Sequence, residues 1–492
     1  MSSSNDAMGH APPAVAAQQA RARAAASQAV LIGARLDRLP VGKTIWLLVV
    51  LISLGGFFEF YELFSTAYIA PGIVRSGVLS ATTQGFFSMN GIAAFIAAAF
   101  AGLLVGTLLF GSIADRFGRR PVFTFALLWY TLSAAIMAFQ STPPGLNFWR
   151  FMVGIGLGVE LVTIDSYVSE LVPKHFRGRA FALNQVVTYL AVPAIACLAW
   201  QLVPLAPLGL DGWRWVVLIG SVGAVCIWAI RRRIPESPRW LAENGQSERA
   251  EAVMSALEQR IERESGRPLP APEVDVEVPS LGAGSGERGQ FSEIFRPAYL
   301  PRTVMLSLFH VFQTVGLYGF SNWVPTFLMK QGFEVTTSLA YTIGITLVMP
   351  CGPLLAMSYG DRFERKWQMV ASALLVALAG LCFAQARSAV GIVVTGALVT
   401  LGATTLSYNF HAYQSELYPT RVRARAVGFV YSWSRLSGIF SGFLVSYALS
   451  RAGVPGALML IAGCMGMVAL VIALLGPATK GKSLESLESL TR

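Results

Sequence analysis

Glu59 and Glu62 stand three residues apart in the run Phe57-Phe58-Glu59-Phe60-Tyr61-Glu62, inside a stretch that is otherwise apolar. Residues three apart share one face of a helix. Arg150, Glu160, Asp165, His411 and Arg435 are likewise embedded among apolar residues. Ionisable groups in hydrocarbon are costly, so function is the default reading for each. The chemistry open to them is proton loading and the holding of a polar ligand. Desolvation favours the neutral acid, and a nearby arginine favours the carboxylate. Glu160 and Asp165 are five apart, about 140° around a helix, and do not share a face. Glu160, nearer mid-span, is placed on the interior, and Asp165 with the inner end. His10, His175, His310 and His411 are scattered, and neither a nucleophile with its base nor a metal-ligand cluster is visible. Catalytic residues, a metal and a cofactor are not expected.

Membrane-spanning helices must hold these groups. Apolar residues make up 54% and charged residues 13% of the chain, against roughly a quarter charged in soluble domains. Twelve apolar stretches lie near 46–70, 88–113, 121–140, 147–168, 180–203, 213–231, 302–328, 339–359, 367–386, 389–413, 427–449 and 455–475. Each is long enough to cross about 30 Å of hydrocarbon as a helix. Backbone polar groups have no partner in lipid, so the spans must be helical. The period-2 alternation of a membrane barrel is absent. The fold class is therefore an all-α membrane protein of twelve helices.

The net charge of +11 sets topology rather than binding nucleic acid. Of the 38 Lys and Arg, all but Arg75, Arg150, Arg214, Lys330, Arg387, Arg435 and Arg451 fall on inner segments if the amino terminus is cytoplasmic. This is the bias of inner loops, and it places both termini in the cytoplasm and the protein in the inner (plasma) membrane. The five Cys all lie within spans and read as small buried residues without disulfides. No apolar run followed by a cleavage site opens the chain, so the first span inserts uncleaved.

One piece of sequence occurs twice, 246 positions apart. Asp115-Arg116-Phe117-Gly118-Arg119-Arg120 returns as Asp361-Arg362-Phe363-Glu364-Arg365-Lys366. Tyr167, Glu170, Pro173 and Arg177 return as Tyr413, Glu416, Pro419 and Arg423. A repeat of this length means a duplicated domain, and two parallel six-helix halves are a plan of secondary transporters. The organisation is a mostly disordered tail over 1–42, a first half over 43–231, a linker over 232–300, a second half over 301–476 and a tail over 477–492. Within the linker, Ala250, Met254, Leu257 and Ile261 recur at helical spacing, the mark of an amphipathic helix. Gly476-x-x-x-x-Gly481-Lys482-Ser483 fits the phosphate-loop pattern, but a membrane span precedes it where that loop needs a strand.

Gly111-x-x-x-Asp115-Arg116-x-Gly118-Arg119-Arg120, between spans two and three, resembles the loop signature of the major facilitator superfamily. Arg150-x-x-x-Gly154-x-Gly156-x-Gly158, Glu170-x-x-Pro173-x-x-x-Arg177-Gly178-Arg179, Asn184-Gln185 and Pro235-Glu236-Ser237-Pro238-Arg239-Trp240-Leu241 are together similar to its sugar-porter branch. That branch also resembles organic-ion carriers. The resemblance implies alternating access by two rocking halves. It implies a cytoplasmic gate in which Glu170, Glu236 and Glu416 pair with arginines of the loop motifs (Arg116, Arg119, Arg362) and with Arg177 and Arg423, with Arg239 beside them and Asp115 and Asp361 facing charges or helix ends of the other half. Such a network would lock the two halves together at their cytoplasmic ends. Exposed pairs are worth about 0–1 kcal/mol each, which suits a gate.

Glu62 falls where proton-coupled sugar porters carry an Asp, and Arg150 where they carry its partner. The resemblance thus implies Glu62 as the proton site and Arg150 as the group that tunes it. The lining departs from the hexose pattern. Span seven reads Gln313-Thr314-Val315-Gly316-Leu317-Tyr318, and span ten Ser407-Tyr408-Asn409-Phe410-His411. Glu59, Glu160, Gln185, Gln313, Tyr318, Asn322, Asn409, His411 and Trp433 are the candidate cavity residues. Charged and aromatic groups there suit a sugar acid, organic acid, cation or aromatic metabolite as well as a sugar. The expected function is secondary transport of a small polar metabolite by proton symport, with facilitated diffusion and, further off, a transporter-derived sensor as alternatives. The expected partners are the solute, protons and lipid; the carrier is expected to work as a monomer.

Overall fold

Hydrocarbon outside and polar side chains inside account for the helices of this chain. The computed structural model describes residues 28–80, 87–110, 113, 117–231, 234–272, 291–297, 299–359, 362–418 and 420–479. Asp115, Arg116 and Asp361 lie outside the described residues, as do 273–290 of the linker and the last stretch of the chain. The described residues hold no strand, only an isolated bridge between Ser80 and Gly91.

The first half is built from α1 (Lys43–Arg75), α2 (Ile92–Phe110), α3 (Arg119–Met137), α4 (Pro143–Leu171), α5 (Arg177–Leu202) and α6 (Gly212–Arg231). After it come the short α7 (Pro238–Glu243) and α8 (Ser247–Ser265). The second half holds α9 (Leu300–Ser321), α10 (Val324–Lys330), α11 (Val335–Thr346), α12 (Cys351–Tyr359), α13 (Arg365–Gln385), α14 (Ala389–Glu416) and α15 (Thr420–Leu475). Span seven is thus broken before Pro325 into α9 and α10, and span eight before Cys351 into α11 and α12. Spans eleven and twelve run together as α15, which turns at Gly453, φ 64°. Discontinuous spans are common where a membrane protein lines a site.

The outer surface is apolar, with Leu132, Val222, Leu378, Val390 and Leu474 all exposed. Cys197, Cys226, Cys351 and Cys382 are exposed too and Cys464 partly so, against the expectation of burial. Hydropathy does not separate the lipid face from the interior, and a thiol is apolar enough for either. Small residues set how closely helices approach. A Cβ on Gly102 of α2 would stand 2.1 Å from the Phe151 carbonyl oxygen of α4, and one on Gly154 2.3 Å from that of Ala99.

The halves meet where α2 packs on α15 and where α5 packs on α11 and α12. The 246-residue offset maps α2 onto the α11–α12 span and α5 onto the first limb of α15. The two contacts are therefore one interface made twice about a pseudo-two-fold axis.

Residues 28–37 are helical, where the sequence reading has most of 1–42 disordered. Ile32, Leu36 and Leu39 are fully buried. Arg35 bonds Glu251 and Glu258 at 2.6 Å, and Arg38 bonds Glu258 at 2.6 Å. This acidic face of α8 supplies a partner that composition does not reveal. Ala250, Met254, Leu257 and Ile261 form the buried stripe of α8.

Candidate functional site

A cavity of about 380 Å³ lies between the halves. Helix α1 contributes Glu59, Phe60 and Phe64, and α5 contributes Asn184, Gln185, Thr188 and Tyr189. From the second half come Tyr318 of α9, Met349 at the break between α11 and α12, Ser407, His411 and Gln414 of α14, and Tyr431 and Arg435 of α15. Rings dominate the wall. Tyr318 meets Phe100 at 4.8 Å and Phe64 at 6.0 Å, bridging the halves. Phe60 meets Tyr189 at 5.5 Å. The Arg435 guanidinium rests over the Tyr431 ring at 4.7 Å, and Arg435 is only 2% exposed. His411 stacks on Phe410 at 4.1 Å, and its Nδ1 lies 2.7 Å from the Ser407 carbonyl oxygen.

Of the candidate lining, the structure brings Glu59, Gln185, Tyr318 and His411 to this cavity. Glu160, Gln313, Asn322 and Asn409 are buried away from it in the packing between helices. Trp433 is 36% exposed on the outer surface beside Phe429. Its neighbours at two residues either side, Tyr431 and Arg435, face inward, and Trp433 lies on the other side of the helix. His310 is fully buried beside Gln414, its Nε2 3.2 Å from the Oε1.

Beside the cavity, α1 and α4 are joined by charge. Arg150 donates to Glu62 Oε1 at 2.6 Å, to the Thr66 hydroxyl at 2.6 Å and to the Glu62 and Leu63 carbonyls at 2.9 and 3.3 Å. Its guanidinium lies over Phe95 at 5.3 Å. Arg150 is fully buried and Glu62 3% exposed. In low dielectric such a pair is strong, and losing one partner is costly.

At the motif end the repeat becomes a pair of equivalent contacts. Arg119 donates to Glu170 at 2.9 Å, and Arg365 to Glu416 at 3.1 Å; both pairs are related by the 246-residue offset. Tyr167 donates to the Pro235 carbonyl at 2.5 Å and Tyr413 to that of Pro477 at 2.7 Å. Glu236 accepts from the backbone N–H groups of Arg119 and Arg120 at the start of α3. That is the place where helix-end charge favours a carboxylate. Arg423 donates to the Tyr418 carbonyl at 3.1 Å. Arg362 is exposed on the loop before α13, and Arg177 opens α5.

Among the described residues these ion pairs lie within a half, whereas the sequence reading has them tie the halves together. The reason is local: each pair joins neighbouring spans, α3 with α4 and α13 with α14. Arg239 pairs with Asp37 at 2.9 Å, at the end of the 28–37 helix. Burial, aided by the nearby Arg177 charge, lowers the Arg239 pKa despite that carboxylate. Arg365 could have been found from the repeat, as the copy of Arg119. Tyr189 could too, as the copy of Arg435. Tyr431 and Gln414 carried no signal beyond helical spacing from Arg435 and His411.

A family model described as "Sugar (and other) transporter" matches residues 48–490. The putative metabolite transport protein YyaJ of Bacillus subtilis (strain 168) is 30% identical over 450 residues, covering 92% of this chain and 96% of that protein. The niacin transporter NiaP of Acinetobacter baylyi is 30% identical over 457 residues, covering 92% of this chain and 98% of that one. Among solved structures, the partially occluded inward-open xylose transporter XylE from E. coli matches with a TM-score of 0.72 at 19% identity. It covers 90% of this chain and all of that one.

Proposed function

The chain belongs to the sugar (and other) transporter family, and we propose that within it this protein is a proton symporter of small aromatic carboxylates. It is a multi-pass membrane protein of the major facilitator fold and a secondary active transporter of a small metabolite; it is not an enzyme. The substrate class rests on one observation: a buried arginine, Arg435, set over a tyrosine in a wall of rings. Rings stack on a planar ligand and the guanidinium matches a carboxylate in a bidentate fork. The volume, about 380 Å³, is at the lower end of the roughly 300–1,000 Å³ of small-molecule sites. A sugar would want more amides, and Gln313, Asn322 and Asn409 are buried elsewhere. Niacin, the solute named for the Acinetobacter relative, is a pyridine carboxylic acid and fits this description.

Coupling is assigned to Glu62 and Arg150. Arg150 bonds Glu62 between α4 and α1, so a shift of α4 against α1 parts the carboxyl from its counter-charge and changes proton occupancy. The pair's closed geometry also favours a second reading, in which it is a static tie and the carrier a uniporter. The orientation we propose puts both termini and the motif end in the cytoplasm, in the inner membrane, with the monomer as the working unit. Uptake of labelled nicotinate into proteoliposomes, with and without a protonophore, tests the proposal. Accumulation abolished by the protonophore is expected; sugar uptake with no response to any aromatic acid would overturn it.

A further inference from the structure

Helix α5 brings two polar side chains to the cavity wall one turn apart, Asn184 and Thr188. Residues four apart lie on one face of a helix. Each is only 4% exposed. Among the described residues, neither the Asn184 Oδ1 nor the Thr188 hydroxyl has a hydrogen-bond partner. A helical threonine commonly bonds the carbonyl one turn back, as Thr342 does to Ser338 and Thr404 to Thr400. Thr188 does not. Buried polar groups are nearly always paired, so two exceptions on one face of one helix call for a reason.

Packing between helices does not supply it. The 246-residue offset equates Asn184 with Val430 and Thr188 with Ser434. Val430 is fully buried, so an apolar side chain suffices at the first position. The Ser434 hydroxyl of α15 is hydrogen-bonded to that of Thr314 on α9 at 2.8 Å, so the second position ties two helices in that half. In the first half Thr188 meets Gly56 of α1 instead, where a Cβ would stand 2.4 Å from the Thr188 Oγ1. Glycine has no side chain to bond the hydroxyl. It also leaves the wall open, and Gly56 itself lines the cavity beside Asn184 and Thr188.

We propose that Asn184 and Thr188 hold a hydroxyl on the substrate's ring while Arg435 takes its carboxylate, so that the preferred substrates are hydroxylated aromatic carboxylates. This rests on the reading of the cavity as a site for small aromatic carboxylates. A hydroxyl serves both unpaired groups at once. It donates to the amide oxygen and accepts from Thr188; with the amide turned over, it accepts from the NH2 and donates to Thr188. A pyridine nitrogen only accepts and serves one of the two. At the other pole the Arg435 Nε is buried without a partner as well, and a guanidinium suits a carboxylate. Other polar groups of the wall are engaged within the protein: His411 Nδ1 with the Ser407 carbonyl and Gln414 Oε1 with His310 Nε2. Helix α5 belongs to the first half and α15 to the second. A ligand held at both ends therefore ties the halves across the cavity, and benzoate, with no ring hydroxyl, does not.

The test is calorimetric binding of benzoate, 3-hydroxybenzoate and 4-hydroxybenzoate to the full chain in detergent. For wild type, the tighter of the two hydroxybenzoates should bind about tenfold more tightly than benzoate, as two net hydrogen bonds allow. Asn184→Leu/Thr188→Val keeps the side-chain shapes and removes the polar atoms, and should bring that ratio close to one. If neither hydroxybenzoate binds wild type more tightly than benzoate, the proposal is overturned, a result that needs no variant and leaves the aromatic-carboxylate reading standing. A water held by the pair throughout would give the same result. A ratio still near tenfold in the double variant, even with both affinities lowered, also overturns it, because the two residues then shape the wall without touching the hydroxyl. If wild type binds none of the three acids and no nicotinate, the substrate reading itself fails, and this proposal with it.

Discussion

Glu62→Gln leaves Arg150 charged and fully buried. The guanidinium keeps its bonds to Thr66 and to the Glu62 and Leu63 carbonyls, but loses its counter-charge. Removing one partner of a buried pair costs about 3–5 kcal/mol. The three remaining acceptors put this site at the low end, near 3 kcal/mol. At about 2–4 °C per kcal/mol, thermal unfolding in detergent should fall by roughly 6–12 °C. Arg150→Met should cost less, because a stranded carboxyl can take up a proton while a guanidinium stays charged. The double variant Glu62→Gln/Arg150→Met removes both charges and should regain most of the lost stability. Transport then separates the two roles of the pair. If Glu62 is the proton site, the stable double variant still exchanges solute in counterflow but cannot accumulate it. A double variant that accumulates nicotinate like wild type would show the pair to be a static tie. Equal losses in the two single variants would show that the stranded carboxyl does not escape by protonation.

Arg435→Gln should weaken nicotinate binding by about 10- to 100-fold, the worth of a charge-assisted hydrogen bond, while binding of the neutral amide changes little; calorimetry checks both. Gly154→Val should cut folded yield sharply, because even a Cβ at Gly154 would stand 2.3 Å from a backbone oxygen of α2; normal yield and unfolding temperature would count against the close α2–α4 contact. Docking of residues 28–37 should be pH-sensitive. Burial raises the Glu258 pKa, but the hydrogen bonds from Arg35 and Arg38 outweigh it and hold it below its ordinary value; Arg35 does the same for Glu251. A depressed carboxylate stabilises above its unfolded pKa and loses that contribution as pH falls through the folded one. Hydrogen exchange in 28–37 should therefore be slow at neutral pH and rise below about pH 4.5, and protection unchanged down to pH 3 would contradict the clamp.

The plan of the fold was readable because membrane spans and duplication leave coarse marks. Spans need long apolar runs, and the 246-residue offset shows in the sequence itself that Asp115-Arg116 and Glu170 return as Asp361-Arg362 and Glu416. Resemblance placed Glu62 against Arg150, and the structure has them 2.6 Å apart. What was not readable depended on helix rotation. Trp433 and Arg435 are two residues apart, yet one faces out and the other lines the cavity. Gln313 and Tyr318 share α9, and only the tyrosine reaches the wall. An apolar environment on both sides of a span removes the polar face that tells inside from outside in a soluble helix. The breaks at Pro325 and Pro350 shift phase further. The contacts of Asp37 and Arg35 lay in a stretch whose composition resembles a solvated tail.

Solute and proton cross together in the mechanism proposed for this carrier. Adding nicotinate to lightly buffered proteoliposomes, at zero imposed potential, should make the outside medium more alkaline as solute enters, and Glu62→Gln should abolish this while keeping counterflow exchange. Nicotinate entry with no accompanying proton movement in wild type would contradict the account.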